Sequence, residues 1–238
     1  MARARWRDQR GLAIALAVCF GFLLVAAGML VAALATRLSV VHDLQAGRFV
    51  NVLRRAEDSD DFVSGAAAFY GVTQLAVAIL FITWMYRAAK NNEALERDNP
   101  RFGPGWSIGS WFIPLANFVI PVLIMQDLWK GASPDTRRGD PRWRLAKASW
   151  LVGIWWAMLL LSMLRFVVTR TSLEDESSLS TIETNTTIAI VGVVAAAIAA
   201  VLGALVVWKL SRRQLDALRA QRSAYDADAS RLPDRAGA

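Results

Sequence analysis

The sequence predicts an all-α membrane protein: a polytopic helix bundle with four crossings plus one proline-broken re-entrant or interfacial segment. Three observations predict this fold. The chain has 238 residues, of which 55% are hydrophobic, and these residues gather in long blocks rather than spreading as in a soluble core. About 20 apolar residues in a helix span a hydrocarbon layer of ~30 Å. Lys and Arg lie mostly between the blocks, and one block contains prolines.

Four of the blocks have the length and composition of ordinary crossings. They lie near residues 12–35, 65–86, 148–169 and 184–208. The first of them follows a basic N-terminus, residues 1–11, which is also typical of a signal peptide. The hydrophobic region of a signal peptide is only about 7–15 residues long, however. We therefore predict that this block is an uncleaved helix and the first crossing.

The fifth block, residues 102–129, reads FGPGWSIGSWFIPLANFVIPVLIMQDLW. Pro114 and Pro121 have no N–H to donate, so the carbonyls of Ser110 and Asn117 lose their helical partners. Lipid-facing backbone cannot leave such groups unpaired, whereas backbone buried in protein can. Two alternatives follow. Either the segment enters and returns on one side or lies at the interface, or it is a kinked full crossing.

The distribution of basic residues favours the first alternative. Lys and Arg are enriched in the cytoplasmic flanks of membrane helices. If the fifth block does not cross, 21 of the 27 Lys and Arg residues are cytoplasmic, and five lie in two acidic outer loops. A full crossing separates them less well in either orientation. We therefore predict a multi-pass protein of the inner (cytoplasmic) membrane, with both the N- and C-termini in the cytoplasm.

The second crossing is predicted to continue as a helix through RAAKNNEALER, residues 87–97. Pro100 limits it, because the residue before a proline avoids the helical region. One face of this helix carries Ala88, Asn91 and Leu95. The pattern fits a helix along the inner membrane surface and a solvated linker helix equally well.

This part of the chain resembles the hallmark region of a bacterial membrane family, domain of unknown function 4328 (DUF4328). The resemblance rests on WMYRAAKNNEAL (84–95), RFGPGWSIGSWFIPLANFVIP (101–121) and DLW (127–129). It implies an integral membrane protein whose activity is not established. The candidate motif residues, with structural or ligand-lining roles, are Arg87, Asn91, Pro104, Gly105, Trp106, Trp111, Phe112, Pro114, Asn117, Pro121, Asp127 and Trp129.

Composition narrows the chemistry. The single cysteine, Cys19, excludes an internal disulfide, and the single histidine, His42, excludes a multi-histidine metal site. The sequence has no Walker, HExxH or GxSxG motif. We therefore expect no catalytic residues, no metal and no cofactor, and a protein that is not an enzyme. Despite the net charge of +7, basic residues that flank apolar blocks favour the lipid bilayer and anionic headgroups at the cytoplasmic face over nucleic acid.

The tail from Lys209 is predicted to extend the last crossing inward as an amphipathic stalk. The membrane bundle then spans residues 12–222, and residues 223–238 form a disordered cytoplasmic tail because their composition is poor in core-forming residues. Asp127, at the inner end of the fifth block, is expected to be a solvated cap.

Two functions fit these features. The first is a non-enzymatic membrane scaffold or interaction protein, whose partner is another membrane protein or a second copy of this chain. The alternative is a small transporter or channel in which the broken segment 102–129 lines a cavity, because interrupted helices at membrane depth often form such sites.

Overall fold

The regular structure is helical throughout the described part of the chain. The computed structural model describes residues 5–172 and 178–231. Its helices are α1 (Arg10–Gln45), α2 (Val52–Ala94), α3 (Trp106–Gly109), α4 (Ala116–Gly131), α5 (Trp150–Ser172) and α6 (Leu179–Arg231), with a 3₁₀ turn at Pro141–Leu145. The predicted all-α class is confirmed.

Three helical segments are long and apolar enough to cross a membrane: Arg10–Gln45, Arg54–Ala94 and Leu179–Ala227. α5 contributes an apolar stretch, Trp150–Met163, and the side chains of residues 164–172 lie outside the described residues. The length of a crossing by α5 therefore stays a prediction.

α4 is too short to span a bilayer alone. It has 16 residues, which corresponds to about 24 Å at the α-helical rise. A crossing of the ~30 Å hydrocarbon layer needs about 20 residues. α3, which precedes it, is a single turn of four residues. The fifth block of the sequence is thus two separate helices rather than one long one.

The chain forms two compact units. The first contains the described residues of 1–14, 81–152 and 205–238, and the second contains those of 15–80 and 153–204. The long helices α1, α2, α5 and α6 each contribute to both units. The first unit holds the start of α1, the end of α2, the start of α5 and the end of α6, together with α3, α4 and the 3₁₀ turn. The second holds the rest of these four helices.

In the second unit, α1 is apolar on its exposed face as well as on its buried face. Leu16 and Phe20 are buried, whereas Val18, Phe22 and Val25 are each more than half exposed. A helix in a soluble protein turns charged residues toward water, and a helix that is apolar all round is typical of a membrane span. The pattern matches the predicted first crossing.

Close packing in the second unit depends on Gly203 of α6. A Cβ atom at this position would lie 3.0 Å from Nε1 of Trp155 and 3.2 Å from Cζ of Phe20. Small residues at helix contacts let neighbouring backbones approach closely in lipid. Gly203 is therefore the point at which the aromatic side chains of α1 and α5 rest against α6.

Two acids of the predicted outer loops, Asp43 and Glu183, pair with nearby polar groups. The carboxylate of Asp43 lies 2.6 Å from the guanidinium groups of both Arg48 and Arg55. Glu183 contacts Nε2 of His42 at 3.3 Å. These groups are partly exposed, and ion pairs of this kind contribute only modestly to stability. They nevertheless fix the ends of α1, α2 and α6 in this unit.

The described C-terminal tail is helical where the sequence predicts disorder. α6 continues through Arg231, so the prediction of a disordered tail is wrong for residues 223–231. Extending an existing helix requires no new nucleus, and the alanines here, such as Ala224 and Ala227, are the best helix formers. Residues 232–238 lie outside the described residues.

Replacing Gly203 with Leu is expected to destabilise the protein, because the side chain would overlap Trp155 and Phe20. Overpacking of this kind costs typically about 1–3 kcal/mol. The control is Gly28→Leu in α1, where an added Cβ meets nothing within 4 Å. Thermal unfolding of the purified protein in detergent measures both. Equal melting temperatures for the two variants would contradict the packing described here.

Candidate functional site

α2 ends in a hydrogen-bonded cap that positions the next side chain, that of Arg97. Glu96 adopts a left-handed φ of 52°. Its N–H donates to the carbonyl of Glu93 at 2.9 Å, and the N–H of Arg97 donates to the carbonyl of Asn92 at 3.0 Å. These two bonds form the Schellman pattern of helix termination. The cap reverses the chain and leaves Arg97 beside the end of α4.

Arg97 is a buried cation held by main-chain carbonyls. Its side chain is only 2% exposed. The guanidinium donates to the carbonyls of Gly131 and Arg137, both at 2.8 Å, and to those of Thr136 and Ser133 at 3.1 and 3.2 Å. One planar group with five donors thereby ties the end of α2 to the end of α4 and to the following loop.

The surroundings of Arg97 shift its pKa but leave the guanidinium charged. Burial lowers the pKa of Arg97, and the negative charge of Asp140 opposes that shift. Because the ordinary pKa of an arginine lies far above neutral pH, the guanidinium stays charged. The C-terminal end of α4 supplies partial negative charge to it. Asp140 remains ionised because the backbone N–H of Arg142, which donates to its carboxylate, holds the pKa of Asp140 below its usual value.

A second polar network is centred on Gln214 of α6, which is completely buried. Its Nε2 donates to the carbonyl of Ala88 and to Oδ1 of Asn92, both at 2.9 Å. Its Oε1 accepts from Nε2 of Gln9 at 3.2 Å. Nδ2 of Asn92 in turn approaches the carbonyl of Asp127 at 3.5 Å. Gln214 therefore links α6 and α2 to the segment before α1, and Asn92 extends the network to α4.

The N-terminal segment docks on α2 through Asn91. This side chain is fully buried. Its Oδ1 accepts from the N–H of Arg7 at 2.8 Å, and its Nδ2 donates to the carbonyl of the same residue at 2.9 Å. Arg87, one turn earlier, donates to the carbonyl of Asp8 at 3.3 Å. The helical face that carries Asn91 and Leu95 is buried, so the solvated-linker alternative is wrong.

Gly131 allows α4 to approach α2 closely. A Cβ atom at this position would overlap Nδ2 of Asn92, closer than any van der Waals contact allows. Nδ2 of Asn92 cannot easily move aside, because the same amide accepts from Gln214 through its oxygen. The carbonyl of Gly131 is also an acceptor for Arg97. This glycine therefore joins the two polar networks.

Asp127 is buried rather than solvated. It is 7% exposed, and its carboxylate lies 3.4 Å from the guanidinium of Arg101. Lys130 instead donates to the carbonyl of Arg144 at 3.2 Å. The expectation of a solvated cap is wrong, because the end of α4 is covered by the residues that follow α2.

Asp127 and Pro104 both line a small cleft beside the buried cation. Asn92, Arg97 and Trp143 also contribute to its wall, and its free volume is about 20 Å³. A single water molecule needs roughly 10–15 Å³ of such space. The cleft can therefore hold about one water molecule and is too small for an organic ligand.

The fifth block is broken at Pro114. Leu115 adopts φ 66° and ψ −43°, and the N–H of Ala116 donates to the carbonyl of Pro114 at 2.8 Å. This is a γ-turn of the strained kind, with a cost of about 1–3 kcal/mol for a residue that is not glycine. Pro121 lies inside α4 and does not end it. The chain therefore changes direction at Pro114 and Leu115.

Large apolar side chains project from the region of this break. Phe112 is 74% exposed and Leu115 is 79% exposed. Ile108, Phe118 and Val119 are also exposed. A contiguous exposed apolar surface marks contact with lipid or with another protein. The turn between α3 and α4 thus presents an apolar surface.

Three polar atoms are buried near the same break. Ser107 and Ser110 are fully buried. Their hydroxyl oxygens, and Oδ1 of Asn117, make no hydrogen bond with any residue that the structure describes. A buried polar group without a partner costs about 1–3 kcal/mol. Native proteins rarely leave such groups unpaired, and water or a ligand commonly supplies the missing bond.

The predicted tryptophans occupy different environments. The PGW turn leads into α3, where the carbonyl of Gly105 accepts from the N–H of Gly109 at 3.0 Å. Trp106 is exposed. Trp111 packs edge-on against Phe81 with 6.1 Å between ring centroids. Trp129, at the end of α4, lies beneath the guanidinium of Arg213 of α6. The motif residues therefore line several surfaces and do not converge on one pocket.

Arg97 and Gln214, the centres of the two buried polar networks, are missing from the set of motif residues predicted from the sequence. A weak signal exists for Gln214, which stands in helical register with the buried residues Leu210 and Ala217 and so occupies a core position. Arg97 follows a helix end and precedes a proline-containing turn, which gives no indication that its side chain is buried. Within the described residues, no group of three or more His, Cys, Asp or Glu could hold a metal ion.

Long helices that are apolar on all sides, with hydrogen-bonded polar networks at their ends, are typical of a helical membrane protein. Residues 50–212 match the family model described as Domain of unknown function (DUF4328). This range is more than half of the chain, and the chain belongs to that family. It contains all of the predicted motif residues, whereas Gln9 and Gln214 lie outside it. No curated protein and no solved structure matches the chain.

Replacing Arg97 with Lys is expected to lower the free energy of unfolding by about 2 kcal/mol or more. An ammonium keeps the charge, but it cannot reach four carbonyls in the plane of the guanidinium, so buried acceptors lose their donors. The control is Arg142→Lys on the neighbouring 3₁₀ turn, where the side chain is 80% exposed. Thermal unfolding in detergent compares the two. A melting temperature for Arg97→Lys equal to that of the control would contradict the assigned role.

Proposed function

We propose that this protein is a non-enzymatic membrane scaffold or interaction protein. The observation that carries the proposal is the pairing of buried polar side chains with other groups of the same chain. Gln214, Asn92 and Asn91 bond to other parts of the same chain, and Arg97 bonds to main-chain carbonyls. Groups used in this way hold helices in register and are not poised for chemistry.

The proposed topology has four crossings, with segment 102–129 re-entrant or interfacial and both termini in the cytoplasm. The brevity of α4 and the γ-turn at Leu115 support it, as does the apolar surface around Phe112. An exposed apolar turn with a buried, capped base fits a segment that dips into lipid and returns. The basic loop at 130–147 then faces the cytoplasm, as the charge distribution favours.

The alternative function is a small transporter or channel. The specific observation in its favour is the set of buried polar atoms without described partners: the hydroxyls of Ser107 and Ser110 and Oδ1 of Asn117. Polar atoms in an interrupted helix at membrane depth commonly bind a substrate or ion. In a scaffold, the same atoms instead bond to trapped water.

Single-cysteine labelling tests the topology. In a Cys19→Ser background, Arg137→Cys and Asp61→Cys place thiols at exposed positions on either side of the broken segment. We expect a membrane-impermeant maleimide to label Asp61→Cys only in intact cells and Arg137→Cys only in inverted vesicles. If segment 102–129 crosses fully, the two thiols lie on the same side, and labelling of both in one preparation would overturn the re-entrant topology.

A labelling rate measured in the same Cys19→Ser background distinguishes a scaffold from a transporter. We expect Asn117→Cys to react much more slowly with a small water-borne thiol reagent than Arg137→Cys does in the same vesicles, because dry packing excludes the reagent. A water-filled cavity would give similar rates at both positions. Reaction of Asn117→Cys at the rate of Arg137→Cys would count against the scaffold and favour transport.

A further inference from the structure

We propose that a groove between the end of α4, the start of α5 and α6 binds the phosphate headgroup of an anionic phospholipid. Residues of all three helices and of the segment before α5 line the groove, whose volume is about 410 Å³. This size is within the range of small-molecule sites. The residues that carry the argument are Trp129, Asp135, Lys147, Trp150, Lys209 and Arg213.

The groove carries an excess of positive charge. Lys147, Lys209 and Arg213 line it against one carboxylate among the described lining residues, that of Asp135. None of the three cations forms an ion pair with another described residue. Three unpaired cations around a concave surface favour an anionic ligand, because the low-dielectric walls concentrate the field.

Arg213 is oriented but has a donor left over. Its guanidinium carbon lies 4.7 Å from the centre of the Trp129 ring, a cation–π contact that restricts the side chain. Its Nε is buried and has no hydrogen-bond partner among the described residues. The planar guanidinium of an arginine presents several N–H donors, and this geometry suits a phosphate group.

The start of α5 adds to the attraction for an anion. Ser149 precedes the helix, and its hydroxyl lies 3.4 Å from the N–H of Val152 as an N-cap. Gln126 of α4 fixes this position by bonding to both the N–H and the carbonyl of Ser149, at 2.8 and 2.9 Å. The N-terminus of a helix carries partial positive charge and free N–H groups. Trp150, the first helical residue, lies on the wall of the groove.

Tryptophans place the groove at the level of a lipid headgroup. Trp150 is 74% exposed, and Trp208 of α6 is also exposed beneath the guanidinium of Arg212, at 4.2 Å from its ring centre. Tryptophan prefers the boundary between hydrocarbon and headgroups. A lipid whose phosphate lies in the groove can therefore place its acyl chains beside the apolar part of α5, which begins at Trp150, and that of α6, which ends at Trp208. A lipid satisfies both features, whereas a free phosphate ion satisfies only the charge.

The inference rests on the proposed function for the cytoplasmic position of the groove, where anionic lipids are abundant. Binding in detergent micelles does not depend on orientation. A failure of lipid binding and a failure of the cysteine-labelling topology are therefore separate results.

The test is titration of the full-length protein in detergent with phosphatidylglycerol, phosphatidylcholine or inorganic phosphate, with the bound species counted by native mass spectrometry. We expect one phosphatidylglycerol to be retained in preference to phosphatidylcholine. The double variant Lys147→Gln/Lys209→Gln and the variant Arg213→Gln are each expected to weaken that binding roughly tenfold. The control is Arg222→Gln, an exposed arginine of the same helix outside the groove, with affinity unchanged.

Three outcomes would overturn the proposal. Equal retention of the two lipids would remove the role of charge, and an equal loss in Arg222→Gln would reduce the effect to overall surface charge. Displacement of phosphatidylglycerol by millimolar phosphate, with phosphate itself retained, would assign the groove to a soluble anion. If Arg213→Gln fails to fold, the double variant decides, because Lys147 and Lys209 are both exposed.

Discussion

The buried guanidinium of Arg97 is the contact on which the arrangement of the first unit depends. A charge removed from water must be surrounded by compensating dipoles, and here the main-chain carbonyls at the end of α4 and in the following loop provide them. The carbonyl of Gly131 lies in the last turn of α4, where a helix leaves its carbonyls without intrahelical partners. One side chain thus satisfies two requirements together. The position of α4 relative to α2 follows from it.

The two ends of the broken segment differ because only one of them is fixed in this way. At the base, Gly131 contacts Asn92 and accepts from Arg97, so the end of α4 has little freedom. At the other end, Leu115 occupies a strained conformation, and Phe112 projects outward. A strained residue persists when its surroundings hold it, and a lipid environment would hold Leu115 by accepting the apolar side chains on either side.

Much of this architecture could be predicted from the sequence because it depends on local properties. Apolar blocks predict the long helices, and the missing N–H of Pro114 predicts the break. The burial of Arg97 and Gln214 could not be predicted, because it depends on which residues of separate helices meet. The hydropathy pattern of a sequence does not say which positions of two helices face each other. The burial of Asp127 depends on the same unknown register. The helical end of α6 does not follow from composition, because composition describes an isolated segment and this one continues an existing helix.

The broken segment has a base at Gly131 and a tip around Pro114 and Leu115. The buried polar groups at the base have hydrogen-bond partners, whereas the buried hydroxyls near the tip have none among the described residues, and this difference bears on function. At the base, the buried side chains of Asn91, Asn92, Arg97 and Gln214 are paired, so a solute that entered this network would have to break existing bonds. Near the tip, the hydroxyls of Ser107 and Ser110 remain available, and each new bond to them would recover the cost of burial. The hydroxyls of Ser107 and Ser110 are fully buried, so trapped water can pair with them but a docking helix cannot. A partner helix would instead cover Phe112 and the exposed apolar surface around it. A small polar solute would leave that surface uncovered, which is why an interaction role accounts for it better than transport does.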